Sequence, residues 1–563
     1  MELQQIVDKG RELARGPQVP KGKELPPELP GGLPVVGHTV EFARRAIDLL
    51  FRAHREMGEV AQFQAAHKKF VAMFGPEAHQ AVFRAPDEQL SPSEAYKIMV
   101  PVFGKDIVYD APPAKMNEQL KMLLPALKDR RMRTYGEIIL EEVHKAMDGW
   151  GDEGEIDLVD FCRVLTNFTS SHCLVGREFR EGMSEEFARV YHDLERGVTP
   201  IAYINPYLRL PSFRKRDKAR VRLNEMISEI VEERKRENRI GEDFLQTLMD
   251  ARYKSGAPLT DHEITGMLLA AMFAGHHTSS VTTAWALIEL LRNPDELEAV
   301  KGEIAGVYGD DGVIDYQSLR RVVRTEWVVK ETLRLHPPLF VLMRAVMKPF
   351  EYKGYHIPVG HMIAVSPTVA HRMPEHFHDP DKFDPARFGP GREEDKKPFA
   401  FIAFGGGRHK CMGNAFAILQ VKAILASLLR GYEFELEDPQ VESDFQGLVV
   451  GPKEPVKVRY RKRRQPLTAV VAKDLQKTVE LPTEDVAPID RIEVDRDLCQ
   501  GHAVCIEEAP QVFKIDDKQK VVVMETTPEE QYWARVHTAA KYCPTGAIKV
   551  VTRDGKSADA PAE

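Results

Sequence analysis

The sequence predicts a large, mainly α-helical domain with minor β sheets, followed by a linker and a small C-terminal α+β domain. Three observations carry this. Apolar residues recur at helical spacing in long runs between positions 34 and 463, separated by loops marked with Pro and Gly. The stretch QPLTAVVAKDLQKTVELPTEDVAPID that follows has prolines, mixed charge and no sustained period, as linkers do. From Arg491 a compact cysteine-bearing segment begins, and it ends before the polar tail GKSADAPAE. The expected division is therefore 1–463, 464–490 and 491–563. A chain of 563 residues is too long for one ordinary core and suits one large and one small domain.

The N-terminus, MELQQIVDKGRELARGPQVPKGKELPPELPGG, is polar and rich in Pro, Gly and charge. It holds no apolar run of signal-peptide or membrane-anchor type, so a soluble, cytoplasmic protein with no transmembrane segment is expected. Amphipathic runs at Glu137–Trp150 and Val221–Asn238 read as helices. Cys162 and Cys173 lie on one face of a further helix and read as buried structural thiols. The strongest helix runs from about Asp261 to Leu291, with a capping box at Thr260 and Glu263 and a stop at Asn293-Pro294. It is apolar almost all round and should cross the domain interior. Hydrophobic content of 43% with 29% charged residues describes a soluble globular chain, and a net charge of -8 excludes a general nucleic-acid binder. The basic run Arg459–Arg464 is local to a domain edge. Six cysteines do not make a disulfide framework.

The chemistry centres on Phe404-Gly-Gly-Gly-Arg-His-Lys-Cys411-Met-Gly413, which fits F-x-x-G-x-x-x-C-x-G. Glycines let a turn approach a haem closely and aim N–H groups at a thiolate ligand. Upstream, Glu331-Thr-Leu-Arg334 sets a carboxylate and a guanidinium one helical turn apart, and Phe383-Asp-Pro-Ala-Arg387-Phe388 supplies a second Arg. Taken singly, these read as a glycine turn beside an incidental cysteine and a solvated ion pair. In this order, E-x-x-R, a P-x-R-F-like element and the Cys loop, they resemble the cytochrome P450 family over most of residues 34–463. The resemblance implies the P450 fold, haem b with Cys411 as its axial metal ligand, dioxygen as co-substrate, and a structural lock of Glu331, Arg334 and Arg387 around the haem loop. Because membrane-anchored relatives are the eukaryotic ones, the polar N-terminus implies a bacterial protein.

The interior helix contains Phe273-Ala-Gly-His276-His277-Thr278-Ser279. A Gly three residues before a Thr can open a helix, since the hydroxyl bonds a carbonyl of the preceding turn. Most of the family carries an acid where this chain has His277. A histidine in an apolar helix is ordinarily a satisfied core residue, yet A-G-x-H-T-S resembles the sterol 14α-demethylases, and a neutral-range imidazole can relay protons. His277 and Thr278 are then the catalytic residues, with Asp193 on a facing helix as a candidate proton source. Tyr96-Lys-Ile-Met-Val-Pro-Val-Phe103-Gly104-Lys-Asp-Ile-Val-Tyr109-Asp110 is similar to a second signature of that family, with Ile107 in place of Val. The resemblance implies that Tyr96, Arg344 and His409 bind the haem propionates. It implies also that Ile98, Met99, Phe103, Phe273, Ala274, Phe340 and Leu342 line the cavity of a lanosterol-like sterol. The implied reaction is three successive oxygenations of the 14α-methyl group, through alcohol and aldehyde to formate.

In the tail, Cys499-Gln-Gly-His502-Ala-Val-Cys505 and Cys543-Pro544 resemble a small bacterial ferredoxin. Three thiolates suit a 3Fe–4S cluster rather than a 4Fe–4S one; His502 as a fourth ligand and a structural zinc site are the alternatives. The segment is short for its own core, so its cluster should help hold it together. A tethered ferredoxin raises the local donor concentration to roughly millimolar. With no dinucleotide fingerprint evident, a separate NAD(P)H-dependent flavin reductase is the expected upstream partner. Competing readings are a P450 hydroxylase of terpenes, fatty acids or polyketides, and a non-catalytic haem sensor or electron carrier.

Overall fold

Thr260 starts the helix around which the large domain is built. Its hydroxyl accepts the Glu263 N–H at 3.3 Å, and the Glu263 carboxylate accepts the Thr260 N–H at 2.9 Å. The helix then runs unbroken from Asp261 to Arg292 and ends at Asn293, ahead of Pro294. Helices Leu158–Val175, Pro211–Glu237, Val323–Leu335 and Asn414–Gly431 pack on it. This computed structural model describes residues 19–467 except 128, 182–184, 199–201, 203–204, 310–312 and 446–448. It also describes residues 488–553 except 497–498, 500–503, 518–519, 542 and 544–546.

Two helices start well before their amphipathic patterns do. Pro211 occupies the first turn of Pro211–Glu237, where its missing N–H costs nothing, and Arg216 and Arg220 in the added turns are buried. The other, Asp129–Met147, stops short of the expected Trp150. Cys162 and Cys173 both face the core from Leu158–Val175, and burial pushes both thiols up. Asn414–Gly431 is the one helix among the described residues long and apolar enough to cross a membrane, but two-thirds of it is buried in this domain.

A five-stranded sheet flanks the helices, in the order Val60–Ala65, Lys68–Met73, Met362–Val365, Leu342–Val346 and Leu90–Ser91. Leu342 pairs with Val365 and Arg344 with Ile363, so the Phe340–Arg344 segment is held along one edge of the interior. Strand Lys457–Lys462, which overlaps the basic run, pairs with Glu153–Asp157 and Tyr432–Leu436.

The tail is an α+β unit with its own core. Strand Ile489–Val494 pairs antiparallel with Ile548–Thr552, and Phe513–Ile515 with Val521–Val523. Helices Val504–Glu508 and Trp533–Lys541 complete it, and Cys499 and Cys505 are buried among its apolar residues. Among the described residues, two ion pairs join it to the large domain. Arg84 meets Asp495 at 2.9 Å, and Arg320 meets Glu508 at 3.1 Å.

Candidate active site

Gly405 and Gly407 take φ of +68° and +63°, a region that favours glycine. A side chain at Gly407 would also stand 2.0 Å from the Phe83 carbonyl oxygen. The turn they make delivers Cys411, whose N–H donates to the Phe404 carbonyl at 2.8 Å. The surface that Cys411 exposes is the wall of a cavity of about 1150 Å³ inside the domain. Burial pushes its thiol up, while the Gly413 N–H and the Lys410 ammonium act the other way. Bound iron would remove the proton outright.

The same cavity gathers residues far apart in the chain. Tyr96, Arg344 and His409 lie in its wall together with Cys411. The Tyr96 hydroxyl accepts the Met343 N–H at 3.1 Å, and His409 Nε2 is 2.7 Å from Asp87 Oδ1. A sulfur ligand, an arginine, a histidine and a phenol around one roomy cavity fit a haem with its two acid groups. Ile98, Met99, Phe103, Phe273, Ala274, Phe340 and Leu342 also line it, as does Thr278. Phe103 and Phe273 meet edge to face at 5.9 Å. The sequence reading missed Met267, Ala270 and Ala271, which continue the wall along the central helix. With Ala274 and Thr278 they recur at helical spacing, a signal hidden because this helix is apolar on every side.

Thr278 Oγ1 donates to the Ala274 carbonyl at 2.6 Å, within a helix that stays continuous there rather than opening. Beside it, His277 Nε2 stands 2.8 Å from Glu195 Oε1. Glu195, not Asp193, is thus the acid facing the histidines. It ends the helix Glu185–Glu195, and Phe187, Tyr191 and Glu195 at four-residue steps share the inward face, from which Asp193 is turned by two positions. Burial pushes the Glu195 carboxyl up, but the imidazoles of His276 and His277 outweigh it and hold the group at about 2. Burial lowers His276.

Glu331, Arg334 and Arg387 are each fully buried, so this is no surface pair. Arg334 reaches Glu331 through two nitrogens at 2.7 and 2.9 Å, and Arg387 Nε reaches it at 3.0 Å. Other guanidinium hydrogens go to carbonyls that include those of His371 (2.8 Å), Lys382 (3.0 Å) and His378 (2.8 Å), and Arg387 also donates to the Glu394 carboxylate at 2.5 Å. The trio thereby fastens the segment between 371 and 394 to the helix Val323–Leu335.

In the tail, the three cysteines converge. Burial, then the neighbouring Cys543 and Cys499, push Cys505 up to about 12. Cys499 Sγ accepts the Val521 N–H at 3.3 Å and Cys543 Sγ the Ala547 N–H at 3.4 Å, contacts that suit sulfur bound to an iron–sulfur cluster. His502 lies outside the described residues. Cys543 lies near enough to Lys410, the residue before Cys411, to act on its charge, and Lys520 of the tail reaches the cavity wall.

The chain matches the cytochrome P450 family over residues 26–459 and a 4Fe-4S single cluster domain over 492–550. It is 42% identical over 448 residues to the sterol 14alpha-demethylase of Mycolicibacterium vanbaalenii, covering 78% of this chain and 98% of that one. It is 40% identical over 452 residues to the sterol 14-demethylase of Arabidopsis thaliana, covering 79% and 93%. Among solved structures, the retinoic acid bound cyanobacterial CYP120A1 superposes with a TM-score of 0.70 at 23% identity, over 78% of this chain and 100% of that one, a likeness of fold. The chain belongs to the cytochrome P450 family and, within it, to the sterol 14α-demethylases, haem-dependent monooxygenases, with an iron–sulfur domain fused behind.

Proposed function

We propose that the chain oxygenates the 14α-methyl group of a 4,4-dimethyl, lanosterol-like sterol three times in one cavity and releases it as formate, using electrons passed inward from its own tail. The observation that carries this is the shared cavity, whose wall includes Cys411, Thr278 and the apolar residues from Ile98 to Leu342. Haem held by a cysteine thiolate activates dioxygen, because the thiolate pushes electron density toward O–O cleavage. Cys411 is the residue to hold it, with Tyr96, Arg344 and His409 at its acid groups. The chain's own part is to bind, orient and protonate. Ile98, Met99, Phe103, Phe273, Ala274, Phe340 and Leu342 take up the flat hydrocarbon and keep water away from it. Glu195 faces the histidines, His277 passes the proton on, and the Thr278 hydroxyl presents it to the cavity. Glu331, Arg334 and Arg387 stiffen the loop behind Cys411.

Electron supply from the tail is supported by the ion pairs Arg84–Asp495 and Arg320–Glu508, and by Cys543 lying near enough to Lys410 to act on its charge. Three thiolates favour a 3Fe–4S cluster on Cys499, Cys505 and Cys543 over a 4Fe–4S one. A separate NAD(P)H-dependent flavin reductase would recharge it, and the reading includes a soluble bacterial protein in the cytoplasm. The test is to supply lanosterol, a flavin reductase and NADPH to the full chain and to a chain ending at Arg464. Formate should appear rapidly with the full chain. The shortened chain should bind sterol yet turn over slowly until ferredoxin is added. Electron paramagnetic resonance of the oxidised full chain should show the signal of a three-iron cluster, since a four-iron cube is silent in that state. Equal rates from both chains with reductase alone would show that the tail is not the donor.

A further inference from the structure

The central helix carries two adjacent histidines, and the proton path described above uses one of them. His276 is 3% exposed, and its Nε2 lies 3.0 Å from the Arg163 carbonyl oxygen. A carbonyl only accepts, so Nε2 carries the hydrogen and Nδ1 of the neutral ring is left with a bare lone pair. That lone pair faces Glu195 Oε1 at 3.5 Å. His277 Nε2 is 2.8 Å from the same oxygen, a short but poorly aligned contact. Neither His276 Nδ1 nor Glu195 Oε1 makes a well-directed hydrogen bond, and both atoms are buried. Two acceptors set against each other in a dry site are costly unless something positive lies between them.

A proton on His276 is one answer. The donor set offers a second. The two imidazole nitrogens and the carboxylate oxygen all lie within 4.8 Å of one another. We propose that Glu195, His276 and His277 form a binding site for zinc or a similar divalent transition cation, and that an ion held there stops turnover. Two histidines and one carboxylate, with water in the fourth position, are a ligand set that zinc takes. Bonds of about 2.0–2.2 Å place neighbouring ligands of a tetrahedral ion roughly 3.3 Å apart. The 2.8 and 3.5 Å separations seen here straddle that value, so small side-chain rotations suffice. Magnesium and calcium want more oxygen than the site supplies.

The ion can enter without unfolding the helix, because the side chains of His277 and Glu195 remain 25% and 15% exposed. It bonds to the lone pairs of the two neutral rings and to the carboxylate, and any proton the trio held passes to solvent with no change of oxidation state. His277 is then tied to the ion and cannot carry a proton to Thr278. None of the three ligands lines the sterol cavity, so sterol binding continues. The binding half of the proposal stands on geometry alone; the inhibitory half rests on the proton path proposed above.

The experiment titrates zinc chloride into the full holoprotein, with haem and cluster in place. X-ray absorption at the zinc edge should show nitrogen and oxygen at about 2.0–2.1 Å and no sulfur at about 2.3 Å. Formate production should fall and return on adding EDTA, while the lanosterol titration stays unchanged. His276→Gln, checked by its reduced-CO spectrum, should keep its zinc-free turnover and need at least about tenfold more zinc for half-inhibition. His276→Asn gives the same comparison should the glutamine variant fold poorly. Sulfur in the zinc shell would mean that the cluster cysteines took the ion, and equal zinc sensitivity in the wild type and both variants would also overturn the site. A nitrogen-ligated zinc that leaves turnover untouched would overturn the inhibitory half. The proton path itself is judged separately, without metal, by Glu195→Gln.

Discussion

Replacing Glu195 by glutamine keeps the shape of the side chain and removes its charge. Two imidazoles draw the Glu195 pKa from 4.5 to about 2 against the opposing effect of burial. By reciprocity the carboxylate favours a proton on the imidazoles it faces, and at His276 it opposes the lowering caused by burial. Turnover of Glu195→Gln should therefore fall at least roughly tenfold near neutral pH, since a positioned proton donor is worth about 10²–10⁴-fold. A carboxylate favours a neighbouring cation, so without it the acid-dependent limb of the profile should move down in pH and activity should recover as pH falls. The assay follows formate from lanosterol across pH, with NADPH consumption and peroxide release measured alongside to detect reduction that yields no product. A sterol titration should be unchanged, because Glu195 lies outside the cavity wall. Glu195→Asp should regain part of the loss. A glutamine variant with the wild-type rate and an unmoved limb would refute the relay.

Glu331→Gln leaves two fully buried guanidinium groups without their shared carboxylate, and should cost about 3–5 kcal/mol, read as a lower urea midpoint with early loss of the reduced-CO thiolate band. A change below about 1 kcal/mol would mean that the trio does not hold the loop. Ile98 is buried in the cavity wall and smaller than Phe, so the wild type should prefer 4,4-dimethyl sterols, and Ile98→Phe should shift preference toward 4-monomethyl sterols such as obtusifoliol. One methyl in a fitted pocket is worth about 1–3 kcal/mol, and a competition assay in which the ratio does not move would remove Ile98 as the determinant.

Where function is fixed by short covalent spacing, the sequence was readable. Cys411 is delivered by glycines within six residues of it, and Glu331 and Arg334 are one turn apart on a helix whose end Pro337 marks. The capping box at Thr260 located the start of the central helix to the residue. Contacts made across the fold were harder. Choosing between Asp193 and Glu195 needs the phase of a helix, and two positions turn a side chain to the opposite side. The Phe187, Tyr191, Glu195 step carried that phase and went unused. Met267, Ala270 and Ala271 were missed for the opposite reason, since a helix buried on all faces has no contrast to read. The salt links from Arg84 and Arg320 to the tail join partly exposed charges far apart in the chain, and no local pattern distinguishes them from other surface arginines.

The buried trio also bears on how such a chain can change over generations. Loss of Glu331 strands the Arg334 charge in the interior, at about 3–5 kcal/mol against a total stability of about 5–15 kcal/mol. A replacement set that works needs two or three changes together, and each route to it passes through a crippled protein. The cavity wall has no such barrier, because one aliphatic side chain can replace another for less than about 1.5 kcal/mol. Drift is therefore channelled. The frame behind the cysteine is frozen by its own charges, while the surface that meets the sterol remains free to vary.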